Sequence, residues 1–152
     1  MMSFNPKKVF SRILSYLKIL GKEIESIDED KFAILVKEKI DGGTHRILVQ
    51  LYTSGWISTR ALLVRNETLN RLGGNSCLVL RYLLQTSYRA AEFKFAMDEM
   101  GNIYITEDIH ISALTFDAFD EEYHAIPAAI KEFKERIKPE IEHLIATDFE
   151  IV

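Results

Sequence analysis

Apolar residues first recur at spacings of three and four, at Phe10, Ile13, Leu14, Leu17 and Leu20, and the run stops at Gly21. Asn5-Pro6 precedes it, a side-chain acceptor for the free amides followed by a ring already fixed at a helical φ, so the pattern predicts an amphipathic helix. From Lys31 the spacing falls to two. Phe32, Ile34, Val36 and Ile40 share one face, Asp41-Gly42-Gly43 supplies a turn, and Ile47, Val49 and Leu51 continue the alternation. Beyond Thr53-Ser54-Gly55 a third run, Trp56 to Val64, is apolar on both sides, with Trp56, Leu62 and Val64 on one and Ile57, Ala61 and Leu63 on the other. These runs predict three antiparallel strands, the third covered on both faces.

Asn66 offers a cap for a short helical turn, which Gly73-Gly74-Asn75 interrupts before a main helix from Ser76 to Arg89. Leu78, Leu80, Tyr82, Leu83 and Leu84 leave that helix little polar face, which predicts burial on most sides. Two further strands face each other across DEMGN, where Asp98 and Gly101 hold the first and fourth positions of a type I turn. In the second of them Ile103, Ile105, Ile109 and Ile111 alternate with Tyr104, Thr106, Asp108 and His110. After a cap at Thr115, one apolar seam runs from Phe116 through Phe119, Tyr123, Ile126, Ile130, Phe133, Ile137 and Ile141 to Leu144. Pro127 and Pro139 lie within it and predict a kink near Ile126 and a restart near Pro139. The expected fold is α+β, a five-stranded antiparallel sheet with helices mainly on one face, in the order α-β-β-β-α-β-β-α.

A chain of 152 residues suits one domain, 1–152, and 47% hydrophobic with 28% charged residues is ordinary for a folded protein. The net charge of −4 argues against a nucleic-acid partner, which needs a concentrated positive field. Charge is uneven: Lys7, Lys8, Arg12 and Lys18 stand without acids in the first twenty residues, while ten acids oppose four bases in 116–152. Pairing of these two ends, within or between chains, is the expectation. The single cysteine, Cys77, lies in an apolar run and reads as a small core residue, and one thiol excludes an internal disulfide framework. With no apolar run of membrane-spanning length and no signal-peptide pattern, the expected location is cytoplasmic.

Candidate chemistry centres on Asp98, Glu99, Glu107 and Asp108, all close in sequence to His110. Asp108 and His110 share the polar side of their strand, which predicts a solvated pair. His124 and His143 are 19 positions apart on one helix, roughly 28 Å, and cannot share an ion. No phosphate-binding glycine loop or nucleophile elbow is present. Arg46, Arg60, Arg65, Arg71, Arg81 and Arg89 cluster mid-chain, and convergence of some on an anion would support a small-molecule-binding or hydrolytic alternative that uses Asp108 and His110. No catalytic, cofactor-binding or metal-binding residue is assigned.

The element order, the hairpin FKFAMDEMGNIYITEDI and the long final helix opened by FDEEYHAIPAAI resemble the YbjN-like proteins, which share the fold of type III secretion chaperones. The resemblance implies a small α+β protein, often a homodimer, that binds an extended segment of another protein, and the lack of a catalytic motif makes a non-enzyme the expectation. Apolar surface in excess of one small sheet's need agrees with that. Tyr52 and Trp56, beside the Ser-Gly turn, and Phe116, Phe119 and Tyr123 of the last helix are the expected partner or dimer contacts.

Overall fold

The computed structural model of the chain describes residues 3–152. Helix α1 (Pro6–Ile19) starts as its sequence requires, the Asn5 side chain accepting from the Lys8 amide at 3.3 Å, and it buries Phe10, Ile13 and Leu17. Four strands follow: β1 (Glu23–Asp28), β2 (Ala33–Ile40), β3 (Gly43–Leu51) and β4 (Trp56–Val64). Two helices, α2 (Asn66–Arg71) and α3 (Asn75–Arg89), lead to β5 (Lys94–Met97) and β6 (Ile103–His110), and α4 (Phe116–Glu132) and α5 (Lys138–Ile145) close the order.

The sheet has six strands, in the order β1-β2-β3-β4-β6-β5, every neighbouring pair antiparallel. The expected five omitted β1. Its apolar residues, Ile24 and Ile27, are three apart because a bulge between Ile24 and Ser26 inserts Glu25, so the strand shows no period of two. A second bulge between Leu62 and Val64 turns Val64 onto the inner face, where it is buried, although alternation alone places it with Trp56. Ile111 belongs to a 3-10 turn beyond β6.

Inner-face residues Ile34, Val36, Ile47, Val49, Ile57, Ala61, Ile105 and Ile109 are buried in one hydrophobic cluster with the helices. Helix α4 packs across β2, β4 and β6, and α3 packs on β5 and α5. Pro127 does not interrupt α4. The irregularity falls later, as a π turn over Phe133–Ile137, and α5 begins anew with Pro139 in its first turn, where a missing amide costs little. Asn66 is not the cap of α2: its amide instead donates to the Asn102 side chain at 2.9 Å, which ties the helix to the β5–β6 hairpin. That hairpin turns as its sequence predicts, the Asp98 carboxylate accepting from the Met100 and Asn102 amides and Gly101 taking φ 85. Past α5 the chain folds back, burying Phe149 against Phe133 and donating from the Val152 amide to the Leu63 carbonyl at 2.8 Å.

Candidate functional site

The outer face of the sheet faces away from the buried cluster and carries the residues singled out by spacing. Trp56 stands at the start of β4, 48% exposed, with its ring edge-on to the His110 imidazole at 5.1 Å. His110 Nδ1 lies 2.8 Å from the Ser112 hydroxyl and also accepts from the Ser112 amide, so it caps the 3-10 turn. Asp108 is exposed and pairs across the strand with Ser58. Arg60 donates to the Tyr52 hydroxyl at 2.7 Å and to Gln50 at 2.8 Å.

Four of the mid-chain arginines stand apart from one another. Arg46 forms a forked pair with Glu25 at the β1 edge, Arg60 is held on the outer face, Arg65 lies beside the C-terminal tail, and Arg89 lines a cavity with Glu92, Glu132 and Arg136. Among the described residues no group of three or more His, Cys, Asp or Glu is placed to hold a metal ion, and no helix is long and apolar enough to cross a membrane. The bases of α1 do not meet the acids of the last helices. Arg12 donates to the Tyr16 hydroxyl and the Leu114 carbonyl, and Arg136 and Lys138 pair with glutamates one turn away along their own segment.

Two of the expected contact residues are interior. Phe119 is 1% exposed and Tyr123 fully buried, because their turns of α4 face the sheet and α1. The Tyr123 hydroxyl donates to Glu38 at 2.7 Å, and the Lys22 ammonium sits 2.9 Å from the same carboxylate oxygen. Burial, reinforced by Glu38, raises the phenol well above its ordinary value and keeps it a donor. Phe116 is half-buried against Tyr16, whereas Tyr52 and Trp56 are exposed.

The apolar surface missing from α4 lies on α3, which the sequence predicted to be enclosed. Only Val79, Leu83 and Thr86 of that helix are buried; Leu84 is 68% exposed, and Leu78, Tyr88 and Cys77 also meet solvent. A run of leucines cannot say which of them another element covers, and α3 packs mainly on β5 and α5. Between α3 and β5 runs a cavity of about 230 Å³, almost wholly apolar, lined by Leu80, Leu83, Leu84, Phe95, Met97 and Ile103. The strand beside it is an edge. The Phe95 amide points away from β6 and is taken by the Ser87 hydroxyl at 2.9 Å; beyond it the outward groups of β5 have no strand to pair with.

The acids near His110 divide by strand parity. Glu107, next to Asp108 in sequence, lies on the inner face opposite buried Thr59, beneath α4. Loss of water there, followed by the charge and hydrogen bond of Glu122, pushes its carboxyl up to about 7. Counting alternate positions from Ile105 to Ile109 sets Glu107 apart from the other candidate acids. His45 is similarly buried at the start of β3; burial, then the charge of Lys134, lowers its imidazole.

No protein-family model matches the chain, and no curated protein does. Solved structures do: one chain of the HopA1–SchA chaperone–effector complex aligns at TM-score 0.58 with 13% identity, over 88% of this chain and 99% of that one. A chain of the ExsC–ExsE complex aligns at TM-score 0.54 with 14% identity, over 88% of this chain and 96% of that one. The chain therefore shares the fold of these two solved chains.

Proposed function

We propose that the chain is a non-enzymatic, chaperone-like module of the YbjN-like type that binds an extended segment of a partner protein and works as a cytoplasmic homodimer. The observation that carries the reading is the apolar groove between α3 and β5, beside a sheet edge. An extended segment laid there gains backbone hydrogen bonds from the outward groups of β5 and buries alternate side chains against Leu80, Leu84 and Met97. Chaperone–effector assembly in a structure of the same fold supports a protein client. The second copy is assigned to the corner of Tyr52 and Trp56, with Phe116 at its margin, because exposed aromatic rings favour interface centres.

Leu84→Asp tests the client site, since an exposed leucine can be replaced without opening the core. The folded variant is expected to lose proteins that wild type captures from the native cell. Identical captured proteins for both would overturn the groove assignment.

A further inference from the structure

The acidic pocket under α4 has a composition that neither the fold nor client binding explains. Glu107 projects from β6 between the buried Ile105 and Ile109, and Glu122 of α4 lines the same cavity. That cavity measures about 440 Å³, and Glu92, Glu107, Glu121, Glu122 and His124 line it together with three alanines. Among these residues there is no lysine or arginine. His124 is turned to Asp120, 2.7 Å away, and Asp108 adds negative charge from the far side of β6. The neighbouring bases, Arg89 and Arg136, line a separate cavity on the other side of Glu92, and Arg136 is already bound to Glu132. Thr59, across the strand, brings no charge.

Two carboxylates in contact repel when both are ionised, and with no cation to compensate them one proton between them is what makes the contact attractive. We propose that Glu107 and Glu122 form a proton-operated latch between strand β6 and helix α4. With one proton shared, the O–H of one carboxyl donates to the other carboxylate and holds the first turns of α4 on the sheet. When that proton passes to water, two like charges face each other and this part of α4 loosens into the adjoining cavity. The only bond broken is O–H. The device depends on no client and stands whether or not the α3 groove binds one.

Amide exchange over residues 116–126, corrected for the intrinsic effect of pH, tests it on the whole chain. Wild type is expected to lose protection by about tenfold between pH 5.5 and 8.5. Over this window the undiscounted displacement of Glu107 would give about thirtyfold, which water reaching the half-buried pair reduces. Glu107→Gln keeps a donor facing Glu122 without a titrating proton, and is expected to show equal protection at both values. Glu122→Gln should behave alike, which serves if the first variant folds poorly. Carbon-13 titration of the wild-type glutamates provides a reading that needs no variant, with Glu107 and Glu122 releasing protons in two separated steps. Equal wild-type protection at both pH values, a variant that keeps the wild-type loss, or two carboxyls that titrate together in the ordinary range would overturn the latch.

Discussion

Glu107 and Asp108 are consecutive acids of one strand, and the two faces of the sheet make different groups of them. Asp108 stands on the open face and meets water. Glu107 stands under α4, where its charge loses hydration and meets Glu122. The same division marks the rest of the covered side, where the Tyr123 hydroxyl is partnered by Glu38 and burial lowers the His45 imidazole. Spacing between reactive residue types drew attention to Asp108 and His110, but burial is what alters a group's chemistry, and in a strand burial follows parity.

The sharpest test of this division is a truncation on the covered side. Phe119→Ala empties a site that is 1% exposed and packed against Tyr16 and Tyr123, and is expected to cost about 3–5 kcal/mol in chemical denaturation. A variant of near wild-type stability that associates less would return Phe119 to a surface role and erase the distinction between the faces.

The pH dependence of stability sharpens the comparison within the covered side, because its two titrating groups act with opposite sign. Glu107 is raised in the folded state from 4.5 to about 7, so the folded chain holds the extra proton and stability falls as pH rises between those values. His45 is lowered from 6.5, so the unfolded chain takes up its proton first and stability falls as pH drops below 6.5. The Glu107 swing is on the order of 1 kcal/mol once solvent screening is allowed for. Denaturation midpoints from pH 4.5 to 8 should therefore lose the neutral-side fall in Glu107→Gln and the acid-side fall in His45→Gln. Parallel profiles for all three proteins would mean that neither group is set apart by its face.

Much of the fold was legible because most elements keep one period and one cap. Asn5, Asp98 and Thr115 act as read, and the alternation in β2, β3 and β6 picks out their buried sides. What escaped had a physical reason in each case. The bulge at Glu25 hid β1, and the bulge near Leu63 reversed Val64. Tyr123 looked like a contact residue because composition cannot show that a partly buried Glu38, paired with Lys22, awaits its hydroxyl. On α3 the seam was visible, but its coverage depends on where β5 lies, which no local pattern states. The groove was missed for that reason.

On the open face, Trp56→Ala is expected to cost the monomer no more than about 1 kcal/mol, because the ring is half exposed and rests edge-on against His110. Its larger effect should be on association. Sedimentation at micromolar concentration is expected to show a wild-type dimer and a monomeric, folded variant. A wild-type monomer removes the dimer, and a variant that unfolds before it dissociates makes Trp56 a core residue despite its exposure.

Smallest of all should be the effect of Asp108→Ala and His110→Ala. Asp108 contributes an exposed carboxylate opposite Ser58, and its removal leaves no buried partner unsatisfied. His110 contributes more locally: its Nδ1 caps the Ser112 amide, and its Nε2 approaches within 3.0 Å of where a side chain would begin on Gly55, a residue held at φ 90. Water can replace that cap at the surface, so each substitution is expected to shift stability by less than about 0.5 kcal/mol and leave client capture unchanged. A loss above roughly 2 kcal/mol at either position, or loss of a bound ligand or of client, would show that the open face holds a working site and that the comparison between the faces was drawn the wrong way round.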